Sequence, residues 1–454
     1  MGIFEDFILE HQDDNTDRLL FSRGQYPGID MNEAVNTILC RRKLKSKLPS
    51  WYSCPGLTYP ERLAAEQCSS EATAEYKARL ASRLLDENAG NVSGGNGAGS
   101  MGKGWKIADL TGGMGVDSWA FSRIADKVLY NEVNERLAEA SRRNFIALNL
   151  QNIIVYSHNI SVSNIKDGIS PSELLKDFAP DMIYLDPARR AKDGRKVFLL
   201  EDCSPDVLTL KEELLELSPI VMVKLSPMAD ISMVAERLGG HCREIHIVSS
   251  EGECKELLVV MDRDWNGEYT IKAVENACGD DAFTFTRKDE ADAPVNLITD
   301  LPLCQEPLPA LYLFEPGKSL MKAGAFNLLC RRFRLKKFGR STHFYLTEDN
   351  MTAELLQQYG KVFRITAIYP FNGKTIKAVG QEYPGADVTA RNLPVSSDEL
   401  KARLYGKSSR KGRVPEKENG DKPVSRAHRH IFAFKSDAPG NLLIVAEKGF
   451  LSLF

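Results

Sequence analysis

The sequence predicts an α/β protein with a seven-stranded central sheet, a helical segment before it and a small α+β region after it. Between residues 105 and 262, short apolar runs alternate with amphipathic stretches, a spacing typical of parallel strands joined by helices. The last two apolar runs are separated only by "SEGECK", which is too short for a helical crossover. The predicted sheet therefore ends in an antiparallel hairpin. A chain of 454 residues has room for further domains on both sides of this core.

The strands of the sheet are predicted at 105–110, 127–131, 152–156, 181–186, 219–224, 243–249 and 255–261. Helices are predicted between the first six of them, at 116–125, 134–149, 170–177, 205–217 and 229–238. Five helical crossovers followed by a hairpin differ from the plain dinucleotide-binding order. After the core the pattern is mixed, with strands predicted at 269–274, 310–314, 362–368, 431–436 and 441–446.

Changes in composition and in the pattern of apolar residues along the chain predict five segments. The first contains helical patterns, including "SSEATAEYKARLASRLL", for which Ser70 is the predicted N-cap. A stretch rich in Gly, Asn and Ser then predicts a linker before the sheet. The predicted boundaries are 1–86 for the helical domain, 87–104 for the linker, 105–262 for the core, and 263–375 and 376–454 for two small α+β regions.

The composition is that of a globular protein, with 43% hydrophobic and 27% charged residues. No run of eighteen apolar residues occurs, so we expect no membrane span. The N-terminus lacks the basic and apolar segments of a signal peptide. Nine cysteines without a C-x-x-C pair indicate reduced thiols, a cytoplasmic location and no metal site. The sequence does not indicate an oligomeric state.

The first strand runs into "DLTGGMG", a turn whose glycines let the backbone approach a ligand closely. Gly113 and Gly115 fit the start of the dinucleotide pattern G-x-G-x-x-G, but Ser118 stands in the third glycine position. Asp109, just before the turn, suits a ligand that carries a positively charged amino group and no phosphate at this point. S-adenosylmethionine is such a ligand.

Two further polar residues follow the next strands. Glu132 ends the second strand, where a carboxylate can accept hydrogen bonds from both ribose hydroxyls of NAD or of S-adenosylmethionine. Asn159, after the third strand, is placed either to bond an adenine edge or to serve as an ordinary polar turn residue. These two residues leave the choice between the two cofactors open.

The fourth strand ends in "MIYLDPARR", where a buried run stops at a carboxylate. Open α/β sheets bind ligands beyond the carboxyl ends of their strands. Asp186 is therefore predicted to orient an acceptor nitrogen, or to take its proton, during methyl transfer. Pro187 fixes the backbone direction directly after it, and its carbonyl can also hold an N–H group. The alternative is that Asp186 only caps a helix.

Together, "DLTGGMG", "NE", "LDPAR" and the final hairpin resemble class I S-adenosylmethionine-dependent methyltransferases, which have a Rossmann-like fold. The segments "EQCSSEATAEYK" and "TARNLPVSSDELKARLYGKSSRKG" resemble a bacterial group of these enzymes with a THUMP-like C-terminal domain, distantly similar to RNA cap guanine-N2 methyltransferases. The resemblance implies a ferredoxin-like region at 263–375 and a THUMP-like one at 376–454. The implied cofactor-binding residues are Asp109, Thr111, Gly112, Gly113, Gly115, Glu132 and Asn159, and the implied catalytic residues are Asp186, Pro187 and Arg189.

The sequence departs from these relatives after Asp186. Amino-methylating relatives carry Pro-Pro and then an aromatic residue, whereas here Ala188 replaces the second proline and Arg189 takes the aromatic position. A guanidinium plane can stack on a base, and its charge can hold a phosphate.

Three basic clusters predict RNA as a partner, either rRNA or tRNA: residues 41–47, 331–340 and 401–430. The last has ten Lys and Arg against three acidic residues, in a chain whose net charge is -3. The second interleaves Phe333 and Phe338, as base-stacking surfaces do, although a solvated helix face with core phenylalanines has the same pattern. The predicted reaction is N-methylation of an RNA base. A methyltransferase for a protein or small molecule, an NAD(P)-dependent oxidoreductase and an inactive RNA-binding scaffold remain alternatives.

Overall fold

The computed structural model describes residues 2–90, 104–162, 168–189, 200, 203–279, 281–301, 310–406, 429–438 and 440–448. Most of the predicted linker and most of the basic tail at 401–430 lie outside these residues. The chain forms two compact units: Met1–Lys272 with Asn276–Asp280, and Ala273–Glu275 with Asp281–Phe454.

The first unit begins with helices, as predicted. They are α1 (Ile3–Glu10), α2 (Thr16–Phe21), α3 (Met31–Lys47), α4 (Pro49–Tyr52), α5 (Arg62–Gln67) and α6 (Glu71–Asn88). Side-chain caps start the two long ones, because they bind backbone N–H groups that the first turn leaves free. Asp30 accepts such bonds from Asn32 and Glu33 at the start of α3. Ser70 accepts one from Thr73, which confirms it as the N-cap of α6.

The seven predicted strands are all present, with ends that differ from the prediction by at most two residues. They are β1 (Lys106–Asp109), β2 (Lys127–Asn131), β3 (Ile153–Tyr156), β4 (Met182–Leu185), β5 (Ile220–Leu225), β6 (Cys242–Ser250) and β7 (Glu253–Asp262). The crossover helices are α7 (Val116–Phe121), α8 (Glu135–Ala147), α9 (Pro171–Leu175), α10 (Val207–Leu217) and α11 (Ile231–Leu238).

The sheet has the order β3-β2-β1-β4-β5-β7-β6. The first five strands of this order pair in parallel, whereas β7 is antiparallel to both of its neighbours. The predicted terminal hairpin is therefore confirmed. A further strand, β8 (Thr270–Val274), lies beside β6. The direction of chain progression reverses between β1 and β4, which opens a crevice at the carboxyl ends of these strands.

The second unit has a mixed α+β architecture, as predicted. Its strands are β9 (Phe283–Phe285), β10 (Tyr312–Pro316), β11 (Lys336–Lys337), β12 (Tyr345–Thr347), β13 (Gly360–Pro370), β14 (Asp387–Arg391), β15 (Arg429–Phe434) and β16 (Leu442–Lys448). Its helices are α12 (Arg287–Ala291), α13 (Lys318–Ala323), α14 (Phe326–Phe333), α15 (Asn350–Leu356), α16 (Gly373–Glu382) and α17 (Ser397–Tyr405). Seven strands form one sheet in the order β11-β12-β10-β13-β16-β15-β14, with an apolar cluster on each face.

Within the described residues, none of the helices combines the length and the apolar character that crossing a bilayer requires.

Candidate active site

The glycine turn after β1 is held by its own backbone and by the next strand. The Gly112 N–H donates to the Asn131 carbonyl at 2.7 Å, and the Gly115 N–H donates to the Gly112 carbonyl at 2.8 Å. Gly113 and Gly115 have φ angles of +54° and +84°, a region that favours glycine. At Gly112 a Cβ atom would lie 2.1 Å from the Tyr130 ring. The Tyr130 hydroxyl donates to the Gly113 carbonyl at 2.5 Å and thereby holds the turn in place.

Asp109 lies at the base of this turn and is only 1% exposed. Its Oδ1 accepts from the Thr111 N–H at 3.2 Å, and its Oδ2 accepts from the Ser118 hydroxyl at 2.6 Å. Ser118, the mismatch to the dinucleotide pattern, thus holds the carboxyl group in place. Burial, with Asp117 and Asp186 nearby, raises the pKa of Asp109 to about 8, against the hydrogen bond from Ser118. In the described part of the chain no cation forms an ion pair with it.

Glu132 connects the end of β2 to the glycine turn. Its Oε2 accepts from the Gly113 N–H at 2.9 Å, and its Oε1 accepts from the Asn134 N–H at 2.9 Å. Each carboxylate oxygen keeps a lone pair for a further donor. Asn159 lies beyond the end of β3, and its side chain is exposed.

Asp186 lies directly after β4 and is tied to the same turn. Its N–H donates to the Thr111 hydroxyl at 2.5 Å. Its side chain is 38% exposed, and its Oδ2 accepts from the Lys224 ammonium at 2.5 Å. Pro187 is buried, and the following residues form a short ladder in which Ala188–Arg189 pairs with Cys203–Ser204. Asp186 therefore does not cap a helix. The side chain of Arg189 lies outside the described part of the chain.

The sequence places Lys224 near the end of the fifth strand, facing the same crevice, but its pattern indicated a structural or peripheral role and not a site residue. It follows Val223, which pairs with Leu185 in the parallel register of β4 and β5. The next residues of the two strands, Asp186 and Lys224, are therefore neighbours at the sheet edge. Once the strand order is known, this adjacency follows from the sequence, because parallel neighbours end side by side.

A second lysine lies behind Lys224. Lys77 of α6 is fully buried and its ammonium is 2.9 Å from Glu256 and 3.2 Å from Asp117. Asp117 also accepts hydrogen bonds from Ser69 at 2.9 Å and Tyr184 at 2.8 Å. The helical N-terminal segment thus contributes Ser69 and Lys77 to the interior behind the sheet edge. Their spacing carried no signal in the sequence.

Burial and neighbouring charges shift the pKa values of three groups in this cluster, Lys224, Asp117 and Glu256. Burial lowers the pKa of Lys224, but the carboxylates of Asp186, Glu256 and Asp117 outweigh burial and raise it above its ordinary range. Burial raises the pKa of Asp117, yet Lys77 and Lys224 together bring it below its usual value. For Glu256, burial outweighs the two lysines and the pKa is raised. Both oxygens of its carboxylate nevertheless lie within 3.0 Å of the Lys77 ammonium, and this geometry favours the ionised pair.

The basic cluster at 331–340 only partly forms a surface. Phe338 is fully buried and packs against Phe434 with a ring-centroid distance of 4.9 Å, so of the two alternatives it is a core phenylalanine and does not stack on bases. Phe333 is half-buried beside Phe283. Lys337 is buried and donates to the Arg340 carbonyl at 3.1 Å. The exposed cations of the cluster are Arg331, Arg332, Arg334, Lys336 and Arg340.

Several cations of the 41–47 cluster are paired within the helical segment. Arg41 is 2% exposed and donates to the carbonyls of Tyr52 and Cys54. Lys47 donates to the Glu66 carbonyl at 2.7 Å, and Lys43 forms an ion pair with the Glu66 side chain. Lys43 and Lys45 remain exposed, so RNA binding by this cluster stays a prediction that rests on fewer cations than the sequence shows.

Comparisons with known proteins agree with this architecture. Family models match a ferredoxin-like domain at residues 312–352 and a THUMP-like domain at 360–414. A crystal structure of a candidate methyltransferase from Porphyromonas gingivalis W83 is 26% identical in sequence, covers 98% of both chains and has a TM-score of 0.75. The chain has a methyltransferase fold. The resemblance to methyltransferases that carry a THUMP-like region is thereby confirmed.

Other solved structures match a smaller share of the chain. A candidate RNA methyltransferase from Pyrococcus horikoshii is 15% identical over 40% of this chain and 72% of its own, with a TM-score of 0.24. The N-terminal domain of human METTL16 in complex with SAH is 12% identical over 41% of this chain and 70% of its own, with a TM-score of 0.31. Similarities at these TM-scores do not bear on function. Among curated proteins, none matches the sequence significantly.

Proposed function

We propose that this methyltransferase transfers a methyl group from S-adenosylmethionine to a nitrogen of an RNA base. One observation carries the proposal: two hydrogen bonds join the glycine turn to the two acidic residues that the reaction needs, one through the Glu132 carboxylate and one through the Asp186 backbone. The Gly113 N–H donates to Glu132, and the Thr111 hydroxyl accepts from the Asp186 N–H. The cofactor-binding and acceptor-binding groups therefore share one rigid edge of the sheet.

The residues of this edge fit the cofactor in charge and in space. Asp109 is a buried carboxyl group that pairs with no cation in the described residues, so the cofactor's ammonium would supply the missing charge. Glu132 retains lone pairs for two ribose hydroxyls. The region around Gly113 is open, since a Cβ atom there would meet nothing within 4 Å. We assign Thr111, Gly112 and Gly115 to the methionine part, and Asn159 to the adenine edge.

Asp186 would act on the acceptor. When bound, the cofactor supplies an electrophilic methyl group on a positively charged sulfur. Lys224 holds Oδ2 of Asp186, whereas no described residue donates to Oδ1. Oδ1 can accept an N–H of the acceptor and thereby aim the nitrogen lone pair, with the Pro187 carbonyl as a second acceptor. After transfer, the same carboxylate is placed to take the proton that the methylated nitrogen releases.

RNA is the substrate class that the second unit favours. A THUMP-like domain occupies residues 360–414. Five exposed cations of the 331–340 cluster lie in the same unit. If they bind RNA, reversing the charge of Arg331 and Arg334 should weaken RNA binding about tenfold at moderate salt, because phosphate contacts dominate such affinities. The matched control reverses Arg142 and Arg143, two exposed cations of α8.

A binding experiment separates the enzyme classes. S-adenosylhomocysteine should raise the melting temperature of the full chain, because a ligand that binds only the folded state stabilises it. NAD and NADP should leave it unchanged. The opposite result would favour an oxidoreductase.

A second experiment identifies the substrate. Mass spectrometry of total RNA nucleosides from a strain lacking the gene should show the loss of one methylated nucleoside. The native gene should restore it, and Asp186→Asn should not, although this variant still binds S-adenosylhomocysteine. Asp177→Asn, at an exposed aspartate before β4, is the matched control and should restore it. An unchanged nucleoside profile would refute the RNA substrate and favour the protein or small-molecule alternative.

A further inference from the structure

Asp186 is the most exposed member of a cluster of charges whose other members are buried or nearly so. The cluster contains two ammonium groups, Lys77 and Lys224, and three carboxylates, Asp117, Asp186 and Glu256. The Lys77 side chain is 0% exposed, Glu256 is 2% exposed and Lys224 is 13% exposed. With all five groups ionised, the negative charges exceed the positive ones by one. Buried charges are tolerated only when partners compensate them, so an additional cation would be favoured here.

Lys224 has a particular place in this cluster. Among the described residues it is the cation that contacts Asp186, and its ammonium also lies 3.5 Å from the Ser69 hydroxyl. Ser69 in turn accepts from Lys77 at 3.1 Å and donates to Asp117 at 2.9 Å. The position of Lys224 is therefore set by the helical segment as well as by β5. This connection makes the helical segment a structural part of the site.

We infer that Lys224 is a positioning residue of the methyl-transfer site. Its charge limits how much more tightly the site binds S-adenosylmethionine, the methyl donor, than S-adenosylhomocysteine, the product. This inference rests on the proposed function. Lys224 fixes Asp186 through Oδ2 and leaves Oδ1 for the acceptor. Its positive charge also offsets the negative charge of Asp186 that attracts the sulfonium of S-adenosylmethionine. S-adenosylhomocysteine is a neutral thioether at the same sulfur, so this offset changes the affinity for the donor more than that for the product.

The two members of the ion pair should act in opposite directions. Without the Asp186 charge, Lys224 repels the sulfonium, and the preference for S-adenosylmethionine falls. Without the Lys224 charge, Asp186 attracts the sulfonium more strongly, and the preference rises. A loss of shape alone would weaken the binding of both ligands alike, because they differ at this point by one methyl group and one charge.

The test is isothermal titration of the full chain with S-adenosylmethionine and with S-adenosylhomocysteine. The measured quantity is the ratio of the product Kd to the donor Kd. Lys224→Met should raise this ratio about tenfold, and Asp186→Asn should lower it about tenfold, as expected for one unit charge close to the sulfur. Lys224→Arg keeps the charge and should stay within about twofold of the native ratio.

A matched control changes another buried ion pair. Lys272 of β8 is 2.9 Å from Glu244, and β8 is separated from β4 by β6, β7 and β5 in the sheet order. Lys272→Met should leave the ratio unchanged even where it lowers stability. If Lys224→Met does not fold, the double variant Asp186→Asn with Lys224→Met removes the pair together, and its ratio should exceed that of Asp186→Asn alone.

The outcomes distinguish the two proposals. A ratio that is unchanged, or that moves the same way in Lys224→Met and Asp186→Asn, would overturn the role of Lys224. An equal ratio in the double variant and in Asp186→Asn would do the same. Failure of the native protein to bind either ligand would instead refute the proposed function.

Discussion

Substituting Gly112 by alanine tests whether the glycine turn is shaped by packing. The added Cβ would lie 2.1 Å and 2.3 Å from two atoms of the Tyr130 ring, far inside van der Waals contact. Tyr130 is fully buried and its hydroxyl holds the Gly113 carbonyl, so the ring has no free space into which to move. Overpacking of this kind costs about 1–3 kcal/mol. Loss of the hydroxyl bond would add about 1 kcal/mol.

The expected cost of Gly112→Ala is therefore about 2–4 kcal/mol in the free energy of unfolding. All four tryptophans, at positions 51, 105, 119 and 265, belong to the first unit, so their fluorescence during urea denaturation follows that unit. Affinity for S-adenosylhomocysteine should fall as well, because the turn must shift.

Two comparisons make this prediction specific to packing. Gly113→Ala meets no neighbour but has a φ of +54°, so it should cost only about 1–2 kcal/mol of backbone strain. Combining Gly112→Ala with Tyr130→Leu should cost less than the sum of the single changes, because the smaller side chain relieves the clash. Native stability in Gly112→Ala, or strictly additive costs in the pair, would show that the turn does not depend on this contact.

Three further predictions concern individual carboxyl and imidazole groups. Glu132→Gln should weaken S-adenosylhomocysteine binding about tenfold in titration calorimetry, because a neutral acceptor forms weaker hydrogen bonds, whereas exposed Glu135→Gln should bind normally. Burial raises the pKa of Asp109 to about 8, so the free protein is protonated there at neutral pH and an incoming ammonium must displace the proton. The affinity for S-adenosylhomocysteine should therefore rise between about pH 6 and 8. If the affinity of Asp109→Asn depends on pH in the same way, Asp109 is not the group that binds the ammonium. Burial lowers the pKa of His246 below 6.5 despite Glu244, so below that pH the unfolded chain takes up a proton that the folded chain does not. The free energy of unfolding should then fall as the pH is lowered from about 6.5 to 5, and it should fall less steeply in His246→Gln. The same pH dependence in the native protein and in the variant would contradict this role of His246.

Much of the fold follows from local patterns. Each strand of the first sheet is a short apolar run, and each crossover helix is an amphipathic stretch. The spacing of the apolar residues is therefore sufficient to locate them. The short "SEGECK" connection dictates the antiparallel hairpin, because it cannot span a crossover. The glycine turn, Glu132 and Asp186 were found in the same way, since each follows directly on a predicted strand and the edge of a parallel sheet brings such positions together.

Other features depend on contacts between distant parts of the chain. Phe338 and Arg41 occur in basic runs that look like surfaces, yet the fold buries both, because an aromatic ring and a guanidinium stem gain more from packing than a local pattern reveals. Ser118 appeared to be a mismatch and instead holds Asp109.

Local patterns are sufficient to locate the strands and helices along the chain, the turn that follows β1 and the carboxylates that follow β2 and β4. Which charges come into contact depends on the tertiary structure. Lys77 and Glu256 are 179 positions apart, and their pairing exists only because α6 packs behind the sheet. Electrostatic energy depends on distance in space and on burial, and neither is encoded in the spacing of residues along the chain.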